Sequence, residues 1–169
     1  MLFCMGCFEK FDDGLAICPH CGYVRGTPPR EAYHMPPEGI LRGRYIVGRV
    51  LGYGGFGVTY IGFDAQLERK VAIKEFLPSA LATRMPGHTA ITVYGGESTE
   101  QFKDGLVRFV DEAQRLAKFN GLPGIEDIYD SFAENNTGYI VMQYLEGRDI
   151  KDILKSDVSL AAQADRRLA

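Results

Sequence analysis

Residues 51–57, LGYGGFG, constrain this chain more than any other stretch. Gly52, Gly54, Gly55 and Gly57 spell G-x-G-x-x-G. Dinucleotide-binding folds use the same spacing, but they need a helix directly after the glycines. Here VTYIGFD follows, and RYIVGRV precedes; both read as strands. The glycines therefore fall at the tip of a hairpin. There they let backbone N–H groups approach phosphate oxygens with no side chain in the way. An ordinary Gly-rich hairpin stays open as the alternative for this motif alone. Asp64 and Gln66 then turn the chain toward a third strand, KVAIKEF.

In that third strand Val71, Ile73 and Glu75 alternate with Ala72, Lys74 and Phe76. Lys74 shares a face with Ala72, which is small enough for an adenine ring to lie over it. A lysine pointing into such a cleft needs an anionic partner; a solvated lysine is the alternative. Residues 98–120 supply a helix. Ser98 and Gln101 fit a capping box, and Phe102, Leu106, Phe109, Ala113 and Leu116 recur at helical spacing. Glu112 falls on that apolar face, where an unpaired charge is expensive. Pairing it with Lys74 removes both liabilities.

In their order, LGYGGFG, VAIK, RFVDEAQRLAKF and YIVMQYLEG resemble the N-terminal lobe and hinge of a bacterial eukaryotic-type Ser/Thr protein kinase. The resemblance covers residues 44 to about 155. It implies an α+β fold, a five-stranded antiparallel sheet with one helix of the αC type. It implies ATP as cofactor, with Mg²⁺ in the full-length family, and a protein substrate or protein partner. By the same resemblance the Gly-rich loop covers the phosphates, Lys74 holds the α- and β-phosphates, and Glu112 holds Lys74. Leu51, Thr59 and Ala72 would enclose the adenine and Met142 would stand as gatekeeper. The Gln143 carbonyl and Leu145 amide would bond the base edge, and Asp149 could reach the ribose. Val58-Thr59 stands where the family commonly has T-V, and Thr59 is close to valine in shape. The connection LPSALATRMPGHTAITVYGGE is lengthened, and its His88 is expected at the surface.

All the cysteines lie near the N-terminus: Cys4, Cys7, Cys18 and Cys21, in two C-x2-C turns. Four thiolates at this spacing suit tetrahedral Zn²⁺, and CPHCG resembles a turn of a small zinc ribbon. Two disulfides or four unconnected thiols are the alternatives. His20 could replace one ligand but is expected at the surface. Lys10 and Arg25 stand against Glu9, Asp12 and Asp13 in residues 1–26, and a four-thiolate zinc centre adds negative charge. A nucleic-acid partner is therefore not expected; a structural or protein-contacting role is.

The organisation expected is a ribbon at 1–26, a Pro-rich linker at 27–43, the lobe and hinge at 44–146, and a helical tail at 147–169. Pro28-Pro29 and Pro36-Pro37 make the linker an extended spacer, or a strap on the next domain. Its His34 and Met35 are expected at the surface. The tail's Ile150, Ile153 and Leu154 fall on one helical face. Of the 169 residues 46% are hydrophobic and the net charge is −3, which suits one globular domain with a small accessory unit. No apolar run approaches the ~20 residues of a membrane helix, and a cytoplasmic location is expected. The family's H-R-D…N and D-F-G motifs are not found; GRD at 147–149 follows the hinge directly and matches in letters only. These residues are thus expected to bind ATP without catalysing transfer. A non-catalytic adaptor using ribbon and lobe to hold a protein partner is the alternative.

Overall fold

The computed structural model describes residues 2–147. Asp149 and the helix expected after 147 lie outside them. Ten strands and one helix follow one another: β1 (Leu2–Phe3), β2 (Lys10–Phe11), β3 (Ile40–Leu41), β4 (Tyr45–Gly54), β5 (Gly57–Asp64), β6 (Arg69–Phe76), β7 (Ala82–Arg84), β8 (Ile91–Val93), α1 (Glu97–Ala117), β9 (Ile128–Glu134) and β10 (Thr137–Gln143). The main sheet is antiparallel in the order β3-β4-β5-β6-β10-β9. The five long strands make the five-stranded sheet that the resemblance implies. The sixth, β3, is a two-residue edge strand lent by the Pro-rich segment.

Local chemistry fixes the turns. The Asp64 carboxylate accepts hydrogen bonds from the Gln66 and Leu67 amides at 3.1 and 3.2 Å, an Asx turn that reverses the chain between β5 and β6. Asn135 and Asn136, both at positive φ, make the β9–β10 hairpin, as type I′ geometry requires. Asn120 completes the far edge: its side chain exchanges two hydrogen bonds with the Ile128 backbone, at 2.7 and 2.9 Å.

Helix α1 packs through Phe102, Phe109 and Ala113. It comes close because Gly138 and Gly105 lack a Cβ; one at Gly138 would stand 2.7 Å from Leu106, and one at Gly105 2.7 Å from Phe76. The expected start and end of this helix need correction. It runs Glu97–Ala117 with Gly96 (φ 72°) as N-cap, and no side chain caps it. Ser98 lies inside the first turn, so the capping box does not form. Residues 118–120 leave the helix in tighter turns. Leu116, expected on the packed face, is 37% exposed.

The Pro-rich segment is a strap, and His34 and Met35 are not surface residues. They are 1% and 2% exposed. The Met35 amide donates to the Tyr60 hydroxyl at 3.0 Å, and the Tyr33 carbonyl accepts from Arg84 at 2.9 Å. Prolines rule out a helix there but leave packing free, so a chain of bends and turns lies down on the sheet. His20 and His88 are exposed. Among the described residues no helix is long and apolar enough to cross a membrane.

Candidate functional site: an open cleft and a four-cysteine cluster

The glycines occupy the tip of the β4–β5 hairpin, with β4 ending at Gly54 and β5 starting at Gly57. Gly52, Gly54 and Gly55 have open space where a Cβ would be, whereas one at Gly57 would stand 2.1 Å from the Glu75 carbonyl oxygen. Strand register then sets the faces. Thr59 lies opposite Lys74, Lys74 opposite Ile140, and Ala72 opposite Met142. Directly opposed residues share a sheet face. Leu51, Thr59, Ala72, Lys74, Glu112, Met142, Gln143 and Leu145 all line one open cleft of about 670 Å³. That volume is within the range of small-ligand sites.

Lys74 and Glu112 face the same cleft without an ion pair; among the described residues none within 4.0 Å joins them. The Lys74 ammonium stands 5.8 Å from the centre of the Phe109 ring. Glu112 is exposed, so water bears its charge and the desolvation cost that the sequence pattern suggested does not arise.

The N-terminal unit gathers its four cysteines. All four Sγ atoms lie within 4.8 Å of one another. Cys4 and Cys21 are 3.6 Å apart, Cys7 and Cys18 3.9 Å. A tetrahedral ion with Zn–S bonds of ~2.3 Å sets its sulfurs roughly 3.8 Å apart, so the donor set fits. None of the thiols is in a disulfide. The two turns repeat each other. The Phe8 amide donates to the Cys4 carbonyl (2.7 Å) as the Gly22 amide does to that of Cys18 (2.9 Å), with positive φ at both Phe8 and Gly22. At Gly6 the demand is space: a Cβ would lie 2.5 Å from that of Tyr23.

Sequence reasoning missed a polar core on the other face of β6. Glu75 and Arg84 are 0% and 2% exposed and form an ion pair. The Tyr60 and Tyr139 hydroxyls donate to Glu75 at 2.8 and 2.7 Å. Burial, then the Glu75 charge, push both hydroxyls well above the usual tyrosine range, so they stay donors. The alternation of Glu75 with Val71 and Ile73 was the available signal, since a carboxylate on an apolar face needs a partner.

A curled antiparallel sheet with one packed helix, a glycine hairpin at its edge and a hinge strand define the N-terminal lobe of a protein kinase. Sequence comparisons narrow the class. No protein-family profile matches the chain. It is 31% identical over 134 residues to the probable serine/threonine-protein kinase PknB of Bifidobacterium longum, covering 74% of this chain and 16% of that protein. It is 34% identical over 132 residues to the serine/threonine-protein kinase PknB of Mycobacterium leprae, covering 76% and 18%. It is 32% identical over 117 residues to the serine/threonine-protein kinase PrkC of Bacillus subtilis, covering 69% and 15%. A solved structure described as the apo form of PpkA-294 superposes with a TM-score of 0.66 at 33% identity, over 72% of this chain and 42% of that one. The chain is thus a relative of the bacterial Ser/Thr protein kinases, matching their N-lobe and hinge, and it spans about a sixth of the length of the curated relatives it matches.

Proposed function

We propose that the cleft binds ATP as the N-lobe of a Ser/Thr protein kinase, whose reaction is phosphoryl transfer to protein serine or threonine, and that the four cysteines hold one zinc ion. Leu51, Thr59, Ala72 and Met142 enclose the adenine. The Gln143 carbonyl and Leu145 amide meet its edge, and Asp149 serves the ribose. Backbone amides at Gly52, Gly54, Gly55 and Gly57 approach the phosphates, and Lys74 bonds the α- and β-phosphate oxygens. Glu112 aligns Lys74 once the helix and strand close together, as kinase activity requires of this pair. Mg²⁺, when bound with the nucleotide, neutralises phosphate charge. The catalytic base and metal-binding aspartate of the reaction belong to H-R-D and D-F-G motifs, which these 169 residues do not contain. What these residues contribute is nucleotide capture and positioning.

One observation carries the reading: residues from four separate stretches, Leu51, Lys74, Glu112 and Met142, line the same cleft. The cleft is open, so much of the ligand stays in water and affinity is weak, about 1 mM, equivalent to about 4 kcal/mol. Titration with ATP·Mg²⁺, followed by ¹⁵N NMR, tests it. Shifts should concentrate at residues 51–57 and 142–145, and Lys74→Met should weaken binding about tenfold or more, as loss of a charge-assisted bond does. Shifts elsewhere, or equal binding by Lys74→Met, would refute the assignment.

A further inference from the structure

The N-terminal unit does not hang free of the lobe; it is packed behind one wall of the cleft. Strand β4 has two irregularities in its register with β5, between Val47 and Val50 and between Val50 and Gly52. Bulged residues lose their ladder partners. The N-terminal unit replaces them: the Arg49 amide donates to the Met5 carbonyl at 2.8 Å, and the Arg49 side-chain Nε donates to the Gly6 carbonyl at 2.8 Å. Met5 and Gly6 are the two residues between the ligands Cys4 and Cys7. The approach depends on Gly48, where a Cβ would stand 2.5 Å from the Met5 carbonyl oxygen and 2.8 Å from the Phe8 ring.

A second contact reaches the hinge. Phe8 and Phe63 stack with ring centres 5.6 Å apart, Phe3 lies 4.8 Å from Phe63, and Tyr144 packs against this cluster. Tyr144 also lines the cleft. The Lys70 ammonium sits 2.6 Å from Glu9 and 3.5 Å from Glu146. The same small unit therefore touches β4 just before Leu51 and Gly52, and the hinge just before Leu145.

We propose that the metal-bearing N-terminal unit is a positioning element of the nucleotide cleft, with Arg49 as the positioning residue that couples the Cys4–Cys7 turn to Leu51 and the Gly-rich hairpin. The inference rests on the reading of the cleft as an ATP site and of the cysteines as a zinc site. The N-terminal unit has a small cluster of its own, Cys4, Phe11 and Cys18 with Cys7 and Tyr23 packed against them, two of its three buried members being ligands, so the shape of the turn depends on the metal. With zinc bound, the Met5 and Gly6 carbonyls are presented to the bulge and Leu51 is held over Ala72. Without zinc, the Arg49 amide and the Phe63 ring lose their cover and the upper wall of the cleft loosens. Coupling between two sites is reciprocal in binding free energy, so nucleotide must also tighten the binding of zinc.

The test uses the full 169-residue chain loaded with zinc, with ATP·Mg²⁺ affinity read by NMR, zinc by atomic emission, and amide exchange by mass spectrometry. Arg49→Ala should keep one zinc per chain yet bind ATP at least about fivefold more weakly, a typical coupling; Arg49→Lys, which can still reach the Gly6 carbonyl, should recover part of the loss. ATP should raise the chelator concentration that removes half of the zinc at equilibrium in the wild type but not in Arg49→Ala. A purely structural arginine would leave this last difference at zero. Unchanged ATP affinity in Arg49→Ala overturns the proposal. If the wild-type chain binds no ATP, the nucleotide reading fails, and exchange decides the coupling. Zinc removal should then speed exchange at residues 49–54 and 144–146; unchanged exchange there overturns it.

Discussion

Arg84 and Glu75 form an ion pair sealed from water, at 1% and 0% side-chain exposure. Every Arg84 nitrogen is used: Nη1 and Nη2 on Glu75, Nη1 also on the Tyr33 carbonyl, and Nε on the Thr89 carbonyl at 2.8 Å. Burial works against the Arg84 charge, but the Glu75 bonds outweigh it and its pKa stays raised. The pair ties three separate stretches together: β6, the β7–β8 hairpin and the strap. Removing one partner strands the other, which costs about 3–5 kcal/mol. Glu75→Gln and Arg84→Met should each show that loss in urea unfolding. The double variant carrying Glu75→Gln and Arg84→Met should be less destabilising than the sum of the two. Additive losses would mean that the two residues act separately.

The four glycines of the hairpin should separate by experiment into two kinds. Gly57 is needed by the fold, because a Cβ there would meet the Glu75 carbonyl at 2.1 Å. Gly57→Ala should destabilise by at least about 1–3 kcal/mol, the usual cost of overpacking. Gly54 and Gly55 have open space instead. Gly54→Ala and Gly55→Ala should leave thermal stability within about 1 kcal/mol of the wild type and lower ATP affinity, since their cost falls on the ligand. A thermal melt with an ATP titration on each variant separates the cases. Equal destabilisation by all three would contradict the division.

The contrast between these glycines marks what a sequence can disclose. The hairpin, β6 and the face shared by Ala72 and Lys74 were legible, because strand alternation and glycine chemistry act within a few residues. The cysteine cluster was legible for the same reason, its ligands repeating at fixed spacing. The helix was legible as a helix, but not at its ends; Gly96 at φ 72° caps it ahead of Ser98, which no local capping pattern reveals. The strap was the least legible. His34 packs on Tyr53, the Met35 amide bonds Tyr60 and the Tyr33 carbonyl bonds Arg84, partners that lie far along the chain. Arg84 sat in a stretch read as a connection, so Glu75 had no visible counter-charge. Whether Lys74 meets Glu112 depends on how closely α1 approaches β6, which is tertiary packing and not spacing.

Zinc should be structural for the N-terminal unit and separable from the lobe's own stability. The unit's own buried cluster is Cys4, Phe11 and Cys18, and its Phe8 is buried against Ile61 and Phe63 of the lobe, whereas the lobe has a separate core running from Met35 to Val141. Purified protein should carry about one zinc per chain, as a four-cysteine site implies. Cys18→Ser should lose the metal and the exchange protection of residues 2–26, while β6, β9 and β10 keep theirs. Protection of residues 2–26 in metal-free protein would show that packing alone holds the unit.

His34 should make the strap sensitive to acid. Its Nδ1 accepts a hydrogen bond from the Glu31 amide at 3.2 Å, so the neutral ring carries its proton on Nε2. That nitrogen is buried and has no hydrogen-bond partner among the described residues. Edge contacts with Tyr33 and Tyr53, at 4.6 and 5.0 Å between ring centres, enclose the imidazole. A second proton would go on Nδ1 and set a donor against the Glu31 amide. Burial holds the His34 pKa below its ordinary 6.5; Glu31 and Glu75 pull it upward, and Arg30 and Arg84 push it further down. The sign follows from proton counting. Above about pH 6.5 the ring is neutral in both folded and unfolded chains and contributes no slope. As pH falls below that value, the unfolded chain takes up a proton that the folded chain declines. Stability must then drop until the folded pKa is passed. His34→Phe keeps an aromatic ring among the tyrosines and cannot be protonated. Between about pH 7.5 and about 5.5, above the range where ordinary carboxylates titrate, the wild type should lose more of its melting temperature than His34→Phe. Equal losses in the two proteins would show that the folded chain accommodates the charged ring, and that the strap is not a pH-dependent element.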